Sequence, residues 1–359
     1  MTAEDCLRVA AGICRRVAVG QSSSPQEQPL SAADVVALVA VGREHRCLPL
    51  LAPQLGPQAP PGLARELEQV AATVWASHEL TVATLAPGLE RAHARGVRVV
   101  VYKGAAQAAR FYREPWRRQM QDIDLLLDED GLGALEELLT EAGYRRLIHP
   151  GRARSVERSH ERTMVSDRLG VRMVDLHLFP APPLRHPFDV MRMLQSARPA
   201  RIFGAPVHVL ADEDELVIGA VNQAYDHFRG SLLRAVDGGL LIGGGGVDWQ
   251  RLVDVAGEVE ARAATWLTLR WIQALTAAEV PAAVMASLRP GAPRALWLRA
   301  LLGSPEHPAP RFGMPRRLEQ AVLTFPLMDS PTTFLSYLAR HLGRRAVDAW
   351  QARVVRERP

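Results

Sequence analysis

The sequence predicts an α+β fold, in which a small mixed sheet lies between two mainly helical regions. Over residues 1–95 the apolar residues recur every three or four positions, which is typical of amphipathic helices. Over residues 96–180 the pattern changes to short β-branched and alternating runs, which indicate strands. The helical pattern returns from Asp212 onward. We therefore divide the 359-residue chain into an N-terminal helical region (1–95), an α+β core (96–180) and a C-terminal helical region (181–359).

The N-terminal region is predicted to contain two main helices. The three-to-four spacing of apolar residues is clearest in Ala32–Val41 and in Leu63–Leu85. Ser31 directly precedes the first of them and is a suitable N-cap. Pro53–Gly62, a linker rich in Pro, Gln and Gly, separates the two helices.

The core is predicted to alternate between strands and helices. Its first strand is a valine-rich run that is apolar on both faces, which favours a buried position in the sheet. The predicted elements follow in the order strand Val97–Tyr102, helix Ala105–Tyr112, strand Asp122–Leu127, helix Gly131–Ala142, strand Tyr144–Ile148, and a hairpin of Thr163–Ser166 with Val171–Phe179.

The C-terminal region is predicted to be helical from Asp212 onward, with breaks at Gly243–Gly246, Pro281 and Pro305–Pro315. The glycine run lacks the Lys-Ser/Thr pair of a phosphate-binding loop and follows no clear strand. We therefore interpret it as a flexible loop between helices.

The composition disfavours several classes of protein. No run approaches the roughly eighteen apolar residues that a membrane span needs. Residues 1–19 lack the apolar core of a secretion signal. The three cysteines, Cys6, Cys14 and Cys47, are odd in number and widely spaced, which favours neither a disulfide framework nor a zinc site. We therefore expect a reducing, cytoplasmic location.

The positive charge is concentrated at one end of the chain. The net charge is +4, and Arg340–Arg358 supplies it with six arginines against two acidic residues. The chain has no basic stripe interleaved with aromatic residues, which argues against a nucleic-acid partner. We interpret this tail as a solvated helix, and a phosphate- or membrane-binding segment is the alternative.

Lysine is nearly absent from the sequence. Lys103 is the only lysine beside 42 arginines, which indicates a GC-rich genome that converts dispensable lysines to arginine. It lies in Tyr102–Ala105, where a predicted strand turns into a helix. Gly104 would let the backbone approach a ligand closely, and the free N–H groups of the new helix could bind phosphate oxygens. A simple turn is the alternative interpretation.

Two predicted strands carry acidic residues. Asp122 and Asp124 alternate with Ile123 and therefore lie on one face of their strand. Two such carboxylates repel each other unless cations lie between them, and paired divalent ions can stabilise phosphoryl transfer. An acidic edge strand without metal is the alternative. On the hairpin strand, Asp175 could complete a metal site and His177 shares its face, although a hydrogen-bonded structural histidine would look the same.

Together these motifs resemble a known family. They comprise Lys103-Gly104 at the strand–helix turn, R-x-x-x-D-I-D-L-L over Arg118–Leu126, a helix that ends at Gly143-Tyr144, and V-D-L-H over Val174–His177. They are similar to the uncharacterised bacterial nucleotidyltransferases of the polymerase-β-like superfamily. Arg43–Leu51 is similar to the N-terminal segment of that family, and the resemblance covers the chain to about residue 260. Further similar motifs are Asp214–Leu216, Asn222, His227, Arg234–Asp237 and Asp248-Trp249.

The resemblance implies a polymerase-β-like core and a metal-dependent site. Asp122 and Asp124 would bind two Mg²⁺ ions, while Asp175 would ligate the catalytic ion and help deprotonate the acceptor hydroxyl. The chain departs from the wider superfamily at Lys103-Gly104, where Gly-Ser is usual, and from its own branch at Asn222, where histidine is frequent. The expected nucleotide-binding residues are Lys103, Gly104, Arg118 and His177.

The implied reaction is attack by an acceptor on the α-phosphorus of a nucleoside triphosphate, with ATP the expected donor, and release of pyrophosphate. The acceptor would be a small molecule, sugar, peptide or protein, held near Asn222, Asp226 and His227. Two alternatives stay open. The same metal clamp could transfer the γ-phosphate, or the protein could bind nucleotide without catalysis as a scaffold.

Overall fold

A computed structural model describes residues 1–21, 30–147, 161–181, 186–226, 228 and 232–304, and beyond them 322, 325, 327–332, 335 and 339. The predicted Arg340–Arg358 helix and the proline-rich Pro305–Pro315 segment lie outside the described residues, as does His227. No helix among the described residues is both long enough and apolar enough to cross a membrane.

The described residues form one mixed sheet and thirteen α-helices, which confirms the predicted fold class. The strands are β1 (Val100–Val101), β2 (Asp122–Leu126), β3 (Tyr144–Arg146), β4 (Glu161–Ser166), β5 (Met173–His177), β6 (Arg198–Ile202) and β7 (Ala205–Val209). The helices are α1 (Ala3–Ala18), α2 (Ala32–Glu44), α3 (Leu48–Leu55), α4 (Pro61–Ala94), α5 (Lys103–Phe111), α6 (Glu129–Glu141), α7 (Val190–Ser196), α8 (Asp212–Tyr225), α9 (Leu232–Gly243), α10 (Trp249–Glu258), α11 (Arg262–Thr276), α12 (Ala282–Leu288) and α13 (Ala292–Leu302).

The sheet has the strand order β3-β4-β5-β2-β1-β7-β6. The pairs β2–β5 and β1–β7 are parallel, and the other pairs are antiparallel. One face of the sheet, which includes Ile123 and Leu125, is buried against α4, α5 and α6. Since side chains alternate along a strand, the acidic residues of β2 and β5 lie on the opposite face.

A hairpin that was not predicted completes the sheet. Residues 181–359 were expected to be helical, but β6 and β7 lie within this range, and β7 pairs with β1. Phe203 and Gly204 both have left-handed backbones, with φ of 55° and 80°, as in a tight two-residue hairpin turn. Pro199 and Pro206 hide the pattern, because proline is rare in strands away from edges.

The predicted helices are found with modest differences in their ends. Ser31 caps α2 as expected, because its hydroxyl accepts a hydrogen bond from the Asp34 N–H. The long helix α4 runs nine residues further than Leu85 and contains Pro87 in its interior. In contrast, the first strand is shorter than predicted and comprises only Val100–Val101. The N-terminal and C-terminal helical regions share one hydrophobic cluster, in which Ala10 and Ala11 of α1 lie together with Val236 of α9.

Candidate active site

The parallel pairing of β2 and β5 brings the acidic residues of both strands together. Asp124 lies directly opposite Asp175 in the register, and Leu126 lies opposite His177. Because β2 and β5 are adjacent and in phase, Asp122, Asp124, Asp175 and His177 share one face of the sheet. The acidic residues of the two predicted strands therefore lie next to each other in the sheet.

Asp124 is the most heavily partnered residue of this group. Its Oδ1 accepts a hydrogen bond from Nζ of Lys103 at 2.6 Å and lies 2.9 Å from Nε2 of His177. Burial opposes the negative charge, but Lys103 and His177 outweigh it and hold the pKa of Asp124 well below its usual range. Asp124 is therefore ionised although it is only 9% exposed.

Asp122 and Asp175 are in a different electrostatic state. Burial raises the pKa of Asp175 to about 6, although a hydrogen bond with the side chain of Thr163 favours its ionised form. Oδ1 of Asp175 is buried without a hydrogen-bond partner. The pKa of Asp122 is raised by burial and by the nearby charge of Asp124. In both carboxylates the cost of burial outweighs the nearby positive charge, which comes from Lys103 and His177 at Asp122 and from His177 at Asp175.

The turn that carries Lys103 has an unusual backbone. Lys103 is the first residue of α5 and has a left-handed φ of 54°, a conformation that costs a residue other than glycine about 1 kcal/mol. Its N–H donates to both carboxylate oxygens of Glu215, at 3.2 and 3.1 Å. Burial raises the pKa of Glu215 to about 8. A residue from α8 thus stabilises the turn at which the sole lysine lies.

Gly104 and Arg118 are packed against each other. A Cβ atom at position 104 would lie 2.5 Å from Nη1 of Arg118, so only glycine fits this position without displacing the guanidinium. Arg118 is not free to move, because its Nη2 and Nε donate to Oδ2 of Asp237 at 2.6 and 3.2 Å. Tyr112 donates its hydroxyl proton to Oδ1 of the same carboxylate at 2.7 Å.

A cavity of about 300 Å³ lies between these residues and helices α8, α9 and α11. Lys103, Gly104, Arg118, Asp122 and Asp124 line the side formed by the core, and a cavity of this size suits a small ligand. The opposite side includes the predicted acceptor residues Asn222 and Asp226, together with Gln223, Arg234, Thr268 and Trp271.

Comparison with known families identifies the chain. Residues 31–277 match the family described as "Uncharacterised nucleotidyltransferase". The chain belongs to this family. No curated protein matches it significantly. It is therefore a transferase enzyme.

The donor atoms of the candidate active site fit a divalent cation. One atom from each of Asp124, Asp175 and His177 lies within 4.8 Å of the others, and the unpartnered Oδ1 of Asp175 is available as a ligand. Carboxylate oxygens suit Mg²⁺, and imidazole also suits softer metals. Asp122 lies outside this group of three, on the same strand face and at the edge of the cavity.

His177 and Arg118, both expected to bind nucleotide, make contacts within the protein. His177, for which a hydrogen-bonded structural histidine was the alternative, is hydrogen-bonded to Asp124. Arg118, expected at the triphosphate, borders the cavity while its guanidinium pairs with Asp237. The hydrogen bond to Asp124 holds His177 beside the carboxylates. The ion pair with Asp237 holds Arg118 beside the turn at Gly104. Their contacts with nucleotide stay predictions.

Three charged residues of this nucleotidyltransferase make contacts around the candidate site that the sequence does not predict. Glu215 and Asp237 fall in motifs that resemble the family, but their partners Lys103 and Arg118 are more than 100 residues away in the chain. Arg234 pairs with Asp226 at 2.7 Å across the end of the cavity. The only available signal in the sequence is the run of acidic residues Asp212–Glu215 at the start of a predicted helix. They do begin α8, but they are also buried.

Proposed function

We propose that this enzyme transfers a nucleoside monophosphate from a nucleoside triphosphate, ATP being the expected donor, to a hydroxyl group of a small molecule. The pairing of Asp124 with Asp175 beside Lys103 carries this proposal. It combines closely spaced carboxylates with a cation at a strand–helix turn, which is what phosphoryl transfer chemistry requires. The three buried free cysteines support a reducing, cytoplasmic setting.

The triphosphate would be bound by the turn at the start of α5. Lys103 offers an ammonium group with three donors, and the absence of a side chain at Gly104 allows a phosphate oxygen to approach the backbone. The bond between Glu215 and the Lys103 N–H would keep the turn in its left-handed conformation while the lysine side chain reorients. Arg118 would add positive charge beside the phosphates without leaving Asp237.

Two Mg²⁺ ions, when bound by Asp122, Asp124 and Asp175, would neutralise charge on the phosphates and on the oxygen that attacks. The unpartnered, buried oxygen of Asp175 and the raised pKa values of Asp122 and Asp175 support this assignment, because added cations would offset the cost of burying these carboxylates. His177 would orient Asp124 through their hydrogen bond.

In the proposed transfer, residues of the chain would take up the proton of the acceptor and stabilise the leaving group. Asp175 would accept the proton of the acceptor hydroxyl. The acceptor oxygen forms a bond to the α-phosphorus, while the bond from that phosphorus to the bridging oxygen breaks and pyrophosphate leaves with the electron pair. Lys103 would stabilise the negative charge that develops on the leaving group.

The cavity supports a small acceptor. Its volume of about 300 Å³ and its position next to Asp122 and Asp124 suit a compact molecule with one hydroxyl at the carboxylates. Asn222, Gln223 and Thr268 offer neutral polar groups, and Trp271 offers an apolar wall. A peptide or protein acceptor is the alternative, because only one of its side chains would need to enter the cavity. A screen of both kinds of acceptor distinguishes the two.

The decisive experiment determines which phosphorus of the nucleotide is transferred to an acceptor. The full-length protein is incubated with Mg²⁺, a panel of small hydroxyl compounds and peptides, and ATP or CTP labelled at the α- or the γ-phosphorus. We expect transfer of the α label together with pyrophosphate release. Transfer of the γ label would instead establish a phosphotransferase, and tight nucleotide binding without transfer to any acceptor would favour a catalytically silent protein.

Asp124→Asn provides the matched control for this assay. It keeps the size of the side chain but removes the charge that compensates Lys103 and any bound cation. We expect transfer to fall at least 100-fold while the far-UV circular dichroism spectrum stays unchanged. Full activity of the variant would contradict the assignment of the site.

A further inference from the structure

A second cavity lies on the other side of helix α9 from the candidate active site. Its volume is about 740 Å³, more than twice that of the first cavity. Gly239, Leu240 and Gly243 of α9 line it, whereas Asp237, Gly238 and Leu241 face the candidate active site. The two sets lie on different faces of the helix, and no lining residue is shared.

The second cavity is strongly basic. Among the described residues that line it there are four arginines and no acidic residue. Three of the arginines lie on one face of α1 at helical spacing, together with Gly12. The fourth comes from the C-terminal end of α5. The four arginines are Arg8, Arg15, Arg16 and Arg110.

The contacts of these arginines leave positive charge at the cavity. Arg15 donates to the backbone carbonyl of Thr276, which fixes its position but does not neutralise its charge. Arg110 pairs with Asp212 at 2.6 Å and stacks over Phe111, whereas Arg8 pairs with exposed acids of its own helix. These acids lie outside the lining, so the charged groups that face the cavity are guanidinium groups of like sign.

Glycines keep the space beside the arginines open. A Cβ atom at Gly243 would come no closer than 3.9 Å to any neighbour, and that neighbour is Nη2 of Arg15. A Cβ atom at Gly12 would lie 3.6 Å from Nη1 of Arg16. Gly243 begins the glycine run that the sequence indicated to be a simple loop, and its position at the cavity suggests a further role. Phe111 and Leu240 add an apolar wall.

We propose that this cavity binds a small ligand that carries a diphosphate or longer phosphate group. Guanidinium groups match phosphate oxygens in geometry and charge, and several of them around one cavity favour a ligand with more than one negative charge. The ligand is an inorganic polyphosphate or a nucleotide, and the apolar wall would contact the nucleoside of the latter. The site is separate from the proposed transfer reaction and does not depend on it.

The test measures binding to the full-length protein by isothermal titration calorimetry with EDTA present, so that binding does not depend on divalent cations. The probes are inorganic pyrophosphate and ADP. We expect one molecule to bind, with an affinity that falls as salt is raised. A tenfold preference for ADP would assign the apolar wall to the nucleoside, and equal affinities would show that the phosphates alone are recognised. Absence of binding by both probes at millimolar concentration would overturn the proposal.

Two isosteric substitutions locate the site. Gly243→Asp places a carboxylate among the arginines, while Gly243→Asn adds a side chain of the same size without charge. We expect the aspartate to weaken binding at least tenfold and the asparagine to change it less than threefold. Gly12→Asp and Gly12→Asn repeat the comparison from α1, should the first pair fail to fold.

Lys103→Met distinguishes the two cavities. It removes the cation of the candidate active site and should leave binding of pyrophosphate in EDTA unchanged. Loss of binding in Lys103→Met combined with normal binding in Gly243→Asp would place the anion at the candidate active site and refute a second site.

Discussion

Arg118 and Asp237 form an ion pair that joins the segment before β2 to helix α9, across 119 residues of the sequence. The two side chains are only 12% and 10% exposed. Burial alone would lower the pKa of Arg118, but the carboxylate of Asp237 outweighs this effect and raises it. Since Arg118 also packs against Gly104, the pair fixes the position of the Lys103-Gly104 turn relative to the C-terminal helices.

Breaking this pair from one side should be costly. Asp237→Asn leaves the buried guanidinium of Arg118 without its counter-charge, so we expect a loss of about 3–5 kcal/mol in the free energy of unfolding. The double variant Arg118→Met/Asp237→Asn removes both charges and should lose less than the sum of the two single variants. Urea denaturation of all four proteins measures the difference, and simple additivity would mean that the pair contributes no coupling.

Gly104→Ala should impair the site through Arg118. The added methyl group would collide with a guanidinium that Asp237 holds in place, which should cost about 1–3 kcal/mol of stability and lower the transfer rate. Gly133→Ala is the matched control, because a Cβ atom there meets nothing within 4 Å in helix α6. The control should gain up to about 1 kcal/mol. Equal behaviour of the two variants in thermal denaturation and transfer assays would refute the packing argument.

Lys103→Arg tests whether the sole lysine reflects function or codon bias. The ammonium lies 2.6 Å from Asp124 in a confined turn, and the broad, planar guanidinium should not reproduce this contact. We expect the transfer rate to fall at least tenfold, with little change in the melting temperature. The exposed Arg95 offers the reverse exchange, Arg95→Lys, as a control that should leave the rate unchanged. A normal rate in Lys103→Arg would reduce the lysine to an accident of composition.

Glu215 should make stability depend on pH. Its pKa rises from 4.5 to about 8 because it is buried, so between these values the folded protein keeps a proton that the unfolded chain releases. The contribution is therefore complete below pH 4.5 and is lost as the pH rises towards 8. We expect the unfolding free energy of the wild type, relative to Glu215→Gln, to fall by on the order of 1–4 kcal/mol between pH 5 and 8.

Glutamine is the suitable replacement because its carbonyl oxygen can still accept the N–H of Lys103 without titrating. Denaturation with urea at pH 5, 6.5 and 8 gives the required comparison. Parallel pH profiles for the wild type and the variant would show that Glu215 is already ionised in the folded protein.

Local patterns predicted strands β2 and β5 well. The alternation of Asp122 and Asp124 with Ile123 is encoded in adjacent positions, and the structure confirms it along with the neighbouring Asp175 strand. The partners of Lys103 and Arg118 could not be predicted in this way, since pairing with Glu215 and Asp237 depends on how distant helices dock. Nothing in the local sequence reports that docking.

The β6–β7 hairpin shows a second limit. Its prolines weakened the strand pattern in the sequence. The hairpin joins the sheet because β7 pairs with β1, a strand that lies far earlier in the chain. A strand of two residues such as Val100–Val101 likewise depends on its neighbours in the sheet rather than on its own propensity.

The pairing of β1 with β7 also determines which fragments of the chain can fold. On the ribosome, Val100–Val101 is synthesised more than 100 residues before its partner at His208–Val209, so β1 has no partner on this side until the later half of the chain is made. A recombinant fragment cut at residue 180 would expose the backbone of β1 as an unpaired edge and should aggregate. Any truncated protein intended for crystallisation must therefore extend beyond Val209.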